Sequence, residues 1–248
     1  MTAPVFLCPA VSDAVIGSLV VLDGAEARHA TTVQRRAVGE RLDLVDGHGR
    51  RAGGPIVEIG EGSLTVAVEE TACDEDPAIT LVQALAKNAR DEQAIESATE
   101  LGVTAVVPWA AARSIVQWRG PKADKGRARW ASLVLAAMKQ SRRAVLPEVE
   151  PLVTTRDLVS RVRGAVAAGA RVLVLHEVAA TPLTSLTWAD HAQPVTLVVG
   201  PEGGIADDEV EALVGAGAEA VLLGPHVLRA SSAGPAAIAA LAALRRTW

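Results

Sequence analysis

The 248-residue sequence predicts an α/β protein in two parts, a small N-terminal β-barrel or sandwich followed by a larger domain of alternating strands and helices. Up to Thr71, short β-branched runs are punctuated by glycines. Residues 72–77 (ACDEDP) are acidic, aperiodic and end in proline, which marks a boundary. Beyond it, strand and helix patterns alternate. The predicted division is therefore 1–72, a linker at 73–77, and 78–248.

In the first part, residues 18–22, 41–45, 55–59 and 63–68 read as strands, and Gly24, Gly47, Gly49, Gly53, Gly54, Gly60 and Gly62 supply turns. Residues 25–38 read as one short helix. In the second part the order is strand 79–84, helix 90–101, strand 105–109, helix 127–141, helix 155–168, strand 171–175, strand 195–199, helix 207–214, strand 220–223 and helix 233–246. Asp207, Asp208 and Glu209 put negative charge in a first helical turn, and Arg245 and Arg246 put positive charge near a last one.

Composition narrows the function without naming it. The formal charge is -5, from 24 basic and 29 acidic residues, so any nucleic-acid surface must be a local patch. With no Tyr and one Phe against five Trp, a base-stacking sheet of the usual aromatic kind is excluded. Trp109 and Trp118 read as core or interface residues. Cys8 and Cys73 have no metal-ligand spacing, which fits a reducing compartment and no metal site. The first eleven residues lack a basic region and carry Pro4 and Pro9, unlike a signal peptide, and the apolar runs are too short to span a bilayer; a cytoplasmic protein with no membrane partner is expected.

Ligands of parallel α/β sheets sit beyond the carboxyl ends of the strands, which points to three loops. They are His176-Glu177 after Leu175, Gly200-Pro201-Glu202-Gly203-Gly204 after Val199, and Gly224-Pro225-His226-Val227-Leu228-Arg229 after Leu223. Glycines let a ligand approach the backbone and prolines stiffen the loops. No G-x-G-x-x-G follows a strand, which sets aside a Rossmann dinucleotide site.

The run Val199-Gly200-Pro201-Glu202-Gly203-Gly204, then Leu223-Gly224-Pro225 and Leu228-Arg229, resembles the cofactor-binding signature of the RsmE family of RNA methyltransferases. Upstream, Thr99-Glu100-Leu101-Gly102-Val103, Pro108 with Arg113-Ser114, Gln140-Ser141 with Arg143, Pro147-Glu148 and Leu175-His176-Glu177 follow in the same order, as do His29, Val33, Arg35, Gly39 and Asp46-Gly47-x-Gly49 in the first part. The resemblance covers about nine-tenths of the chain. It implies a PUA-like barrel, then a SPOUT domain with a deep C-terminal trefoil knot, which general topology rules would have excluded. It further implies S-adenosylmethionine-dependent methylation of N3 of a uridine in 16S, small-subunit ribosomal RNA by a homodimer, with an assembled subunit as the expected substrate.

On that resemblance, the cofactor falls to Leu175, His176, Glu177, Val199, Gly200, Pro201, Glu202, Gly203, Gly204, Leu223, Gly224, Pro225, Leu228 and Ser232. Because the family's task is to align methyl, sulfur and nitrogen, Arg229 is the first choice for stabilising the base or a phosphate and Glu202 the second-choice proton acceptor. Glu202 could equally cap the helix that follows Ala206. RNA contacts are expected from Arg28, His29, Arg35, Arg36, Lys87, Arg113, Arg142 and Arg143, with Arg41, Arg50 and Arg51 nearby. Ala230-Ser231-Ser232-Ala233 stands where the family usually has Thr-Glu-Thr-Ala; Ser97 and Val145 replace basic residues. Two other readings stay open: a different SPOUT methylation, of ribose or another base, and a non-catalytic RNA-binding assembly factor.

Overall fold

The computed structural model describes residues 3–188 and 190–247. Contacts divide the chain into two compact units, residues 1–76 with 135–146, and residues 77–134 with 147–248. The first unit contains β1 (Val5–Leu7), β2 (Leu19–Asp23), α1 (Gly24–Arg28), β3 (Arg41–Val45), β4 (Arg50–Gly60), β5 (Ser63–Ala67) and β6 (Glu70–Cys73). They form one six-stranded sheet in the order β1-β3-β4-β5-β2, with β6 on β4; β1 lies parallel to β3 and the other pairs are antiparallel.

Alternation sets the faces of this sheet: in β3, Leu42 and Leu44 point inward, and in β5, Leu64 and Val66 do. With Phe6, Val20, Leu22 and Ile56 they make the core of the unit, each fully buried large side chain contributing about 1.5–3 kcal/mol before entropy is set against it. The long strand β4 pairs with β3 and β6 along its first half and with β5 along its second. Gly53 and Gly54 are therefore not turn residues. They lie inside β4, where a Cβ on Gly54 would come within 1.8 Å of the Ala67 carbonyl oxygen. Only glycine fits that crossing.

Two further expectations change in this unit. The single helix 25–38 is a five-residue α1 followed by one wide turn at His29–Val33, after which Arg35 takes a left-handed backbone, φ 54°. Thr31 donates its hydroxyl back to the Ala27 carbonyl at 2.9 Å, a local bond that competes with a regular helix among three consecutive β-branched residues. The linker 73–77 is also not free chain: Cys73 pairs with Arg50 in the sheet, and Asp74 and Asp76 accept from Arg51 and Arg143.

The second unit contains β7 (Ile79–Ala84), α2 (Arg90–Glu100), β8 (Ala105–Ala110), most of α3 (Pro121–Gln140), β9 (Glu148–Val149), β10 (Val153–Thr154), α4 (Thr155–Ala167), β11 (Arg171–Leu175), β12 (Val195–Val199), α5 (Asp207–Gly215), β13 (Glu219–Val221) and α6 (Ala230–Leu244). Its seven-stranded sheet is parallel, ordered β10-β8-β7-β12-β11-β13 with β9 on β8. Such strands are covered on both faces, which explains the apolar runs AVV in β8 and VTLVV in β12. α2 and α6 pack together on one face, and Gly234 of α6 lets Leu81 of β7 approach.

Helix ends follow local chemistry. Thr154 and Asp157 form a reciprocal capping box at the start of α4. α3 begins at Pro121, six residues before the periodicity suggests, because Gly126 is not a break: it clears space for the Trp118 ring. Residues 135–146, assigned by sequence to the second domain, belong with the first unit, where Met138 and Ala144 pack on Val5 and Val45. No helix among the described residues is long and apolar enough to cross a membrane.

Candidate functional site

The loops that leave the carboxyl ends of the parallel strands β11, β12 and β13 in the second unit converge on one cavity of about 540 Å³. Its size is in the range of roughly 300–1,000 Å³ usual for small-molecule sites. Of the residues assigned to a cofactor from sequence, Leu175, His176, Glu177, Val199, Gly200, Pro201, Glu202, Gly204, Leu223, Gly224, Pro225 and Leu228 line it. Gly203 does not: its open side faces the Cβ of Arg113. Ser232 does not either; it lies exposed in the first turn of α6, its N–H donating to the Arg229 carbonyl at 2.8 Å. Arg229 lines the cavity, and so do Arg90, Asp207, Ala230 and Ala233, which the sequence reading left out.

Backbone bonds fix the cavity wall. His176 N–H donates to Val221, Leu222 N–H to Thr181 and Leu183 N–H to Leu222, so the loop after β11 is stitched to the end of β13. In the turn after β12, a Cβ on Gly200 would meet Cγ1 of Ile205 at 2.6 Å, so this tight reversal requires glycine. Arg113 holds the same turn from outside, its Nη1 donating to the carbonyls of Gly203 and Ile205 at 3.2 and 3.3 Å. Expected as an RNA contact, Arg113 has part of its guanidinium committed to this wall.

A buried carboxylate ties the wall to its surroundings. Glu209, only 4% exposed, accepts from Ala112 N–H at 2.9 Å, from the Thr155 hydroxyl at 2.5 Å and from Ala206 N–H at 3.2 Å. Thr155 in turn accepts from Trp109 Nε1 at 3.2 Å, so Trp109 is a core residue whose polar atom is satisfied. Glu209, not Glu202, caps the first turn of α5. The sequence signal was present in the Asp207-Asp208-Glu209 run, but only the fold shows which of the three turns inward.

Glu202 points the other way. Its Oε1 accepts from Lys87 N–H at 3.2 Å and lies 3.4 Å from Arg90 Nη1. The Lys87–Arg90 segment that it meets includes Asn88 and Ala89, both left-handed at φ 58° and 54°, a conformation costing an L-residue about 1–2 kcal/mol. Asp91, buried at the start of α2, accepts from Glu92 N–H at 2.9 Å, and burial raises its carboxyl above the ordinary value.

Arg229 is the N-cap residue of α6, so its cation stands at the positive end of the helix dipole, where a cation is disfavoured. It is exposed, and among the described residues no carboxylate pairs with it. An arginine placed against its electrostatic preference on the rim of a cavity is available to an anion. Val178 and Val227, 77% and 76% exposed, flank it as apolar rim residues.

The RNA contacts expected in the first unit divide sharply. Arg143 is buried and bonds Asp76 at 2.7 Å, which withdraws it from any phosphate. His29 is also withdrawn: Lys139 Nζ lies 3.3 Å from its Nδ1 and the ring meets Phe6 edge-on, while Lys139 itself pairs with Glu26. Arg36 engages Gln34 and Glu40, Arg41 engages Glu69 and Glu70, Arg51 bridges Asp43 and Asp74, and Arg50 bonds the Ala14 carbonyl. Arg28, Arg35 and Arg142 keep exposed, unpaired side chains among the described residues. In the second unit Lys87 is exposed beside Glu202.

A family model described as an RNA methyltransferase domain matches residues 74–242, and one described as an RNA methyltransferase PUA domain matches residues 22–69. The chain is 47% identical over 234 residues to "Ribosomal RNA small subunit methyltransferase E" of Mycobacterium tuberculosis, covering 94% of this chain and 89% of the relative. It belongs to the ribosomal RNA small subunit methyltransferase E family. A member from Synechocystis is 30% identical, over 93% of this chain and 75% of the relative. Among solved structures, that of the Neisseria gonorrhoeae family member bound to S-adenosyl methionine superposes with a TM-score of 0.85 at 28% identity, covering 98% of each chain. A methyltransferase from Legionella pneumophila in complex with the same cofactor gives 0.80 at 25% identity, over 98% of each.

Proposed function

We propose that this protein transfers the methyl group of S-adenosylmethionine to N3 of a uridine in small-subunit ribosomal RNA. It is an S-adenosylmethionine-dependent ribosomal RNA methyltransferase of the small subunit. The observation that carries the finer reading is the convergence of the loops after β11, β12 and β13 on one cavity with an unpaired arginine at its rim.

The residues suit the cofactor. Gly224, where a Cβ would meet nothing within 4 Å, leaves the backbone open to close approach, while Leu175, Val199, Ile205, Leu222 and Leu223 provide an apolar bed for an adenosyl group. When bound, the cofactor supplies an electrophilic methyl on a sulfonium. The chain's task is then alignment, which is worth much of the barrier in an in-line displacement, and charge stabilisation. Neutral uracil carries a proton on N3, so loss of that proton leaves an anion delocalised over the ring and its carbonyl oxygens; Arg229, with five N–H donors and no counter-ion, stabilises that anion or the adjoining phosphate. Arg28, Arg35, Arg142 and Lys87 are the RNA-backbone contacts this reading retains, and Arg113 acts on RNA only through the face that its bonds to Gly203 and Ile205 leave free.

Within the same reading the first unit is a PUA-like barrel that holds RNA, and the chain from β11 to α6 forms a SPOUT trefoil knot, supported by the bridge between Pro182 and Leu222. The working form is a cytoplasmic homodimer acting on an assembled subunit, supported by the exposed apolar rim at Val178 and Val227. The test is methyl transfer from labelled cofactor to undermethylated small subunits, with nucleoside analysis. Label in 3-methyluridine supports the reading. Label in a 2′-O-methyl nucleoside or another base moves the chemistry to a different atom, and cofactor binding with no label in any nucleoside overturns the enzyme for this substrate in favour of an assembly factor.

A further inference from the structure

The segment between β7 and α2 is held from two sides. From within, buried Asp91 accepts backbone N–H groups of Ala86 and Glu92. From the cavity wall, one oxygen of Glu202 takes Lys87 N–H at 3.2 Å and faces Arg90 Nη1 at 3.4 Å. The segment needs such restraint: Asn88 and Ala89 both adopt left-handed backbone without being glycine, and the N-cap of α2 is Ala89, whose methyl cannot accept a capping bond. Lys87 and Asn88 project outward as exposed polar side chains, whereas Glu202 belongs to the turn that borders the cavity.

We propose that Glu202 is a positioning residue, with Arg90 its counter-charge, that couples cofactor occupancy to RNA engagement, in place of the proton-acceptor role. This rests on the methyltransferase reading. A ligand that orders the Gly200–Gly204 turn fixes the carboxylate; the carboxylate fixes Lys87 and the strained pair that follows it. Oε1 is already engaged by two donors, which makes it a tether. Two sites that share one restraint must strengthen each other by the same factor in both directions.

The experiment measures binding of undermethylated small subunits to the full chain with and without saturating S-adenosylhomocysteine, and binding of S-adenosylhomocysteine with and without subunits. In the wild type each ligand tightens the other by the same factor, about 5-fold or more. In Glu202→Ala and Arg90→Gln the factor falls to none, and in Glu202→Gln, which keeps an acceptor for Lys87 N–H but loses the charge, it lies between. Hydrogen exchange at the Lys87 amide is faster in Glu202→Ala than in the wild type with no RNA present, a readout independent of turnover. A coupling factor that stays at the wild-type value in Glu202→Ala and Arg90→Gln overturns the proposal, as does a wild-type factor of one with both ligands bound. A wild-type chain that binds the cofactor product but no subunits overturns the ribosomal RNA reading itself.

Discussion

Arg143 and Arg229 carry the same guanidinium and meet opposite fates. Arg143 lies 9% exposed in the first unit with Asp76 at 2.7 Å, while Arg229 stands exposed on a cavity of the second unit with no carboxylate beside it among the described residues. The contrast extends to their neighbours. Arg36, Arg41 and Arg51 cross-link the first unit through carboxylates, whereas the cavity's Arg90 and Arg113 hold loops in place through Glu202 and through two carbonyls. A cation's function is set by what its neighbours leave unsatisfied, so the arginine that contributes least to the fold is the one most available for chemistry.

Arg229→Ala should produce the largest effect, a loss of about 10²–10³-fold in methyl transfer, the usual consequence of removing one donor to a developing anion. Thermal stability should stay level or rise slightly, since a cation leaves a helix N-terminus, worth about 0.3–1 kcal/mol. Parallel falls in activity and melting temperature would break the contrast. Glu209→Ala strands the N–H groups of Ala112 and Ala206 and should destabilise by about 2–4 kcal/mol, read as a lower urea midpoint with weaker cofactor binding.

Arg143→Met, on the other side of the comparison, should cost about 1–3 kcal/mol of stability by leaving Asp76 unpaired. Methyl transfer by the folded protein should remain near wild type; a selective loss of RNA binding would restore Arg143 as a phosphate ligand. The smallest effect concerns Asp91. Its carboxyl is raised by burial, so the ionised form costs stability above the raised value and nothing below the ordinary one near 3.8. Urea midpoints of wild type and Asp91→Asn should therefore shift in the variant's favour as pH rises from acid to neutral, and a difference independent of pH would exclude that penalty.

The cavity loops were legible because Gly200-Pro201-Glu202-Gly203-Gly204 and Gly224-Pro225 each follow an apolar strand, a local pattern. Strands 171–175 and 195–199 were legible to the residue for the same reason. What failed was long-range. Gly54 looks like a turn residue until Ala67 is known to cross it, Gly126 looks like a break until Trp118 is placed, and Met138 and Ala144 read as second-domain residues until Val5 and Val45 lie against them. Charges misled most, because the partners of Arg143 and Arg51 are distant in sequence or on the far side of a strand. Glu202 and Arg90, more than a hundred residues apart, carry no local sign of their pairing.

β7 lies in the middle of the parallel sheet, yet one of its two neighbours, β12, is encoded more than a hundred residues later. As the polypeptide emerges from the ribosome at roughly 5–20 residues per second, β7 must wait, apolar and half-paired, for most of the remaining chain to be made. The first unit's sheet, by contrast, draws all its strands from the opening third of the sequence. The nascent protein thus completes the strands of its first sheet well before the loops that line the cavity exist, and premature termination anywhere before Val195 leaves a chain without the Gly200–Gly204 turn.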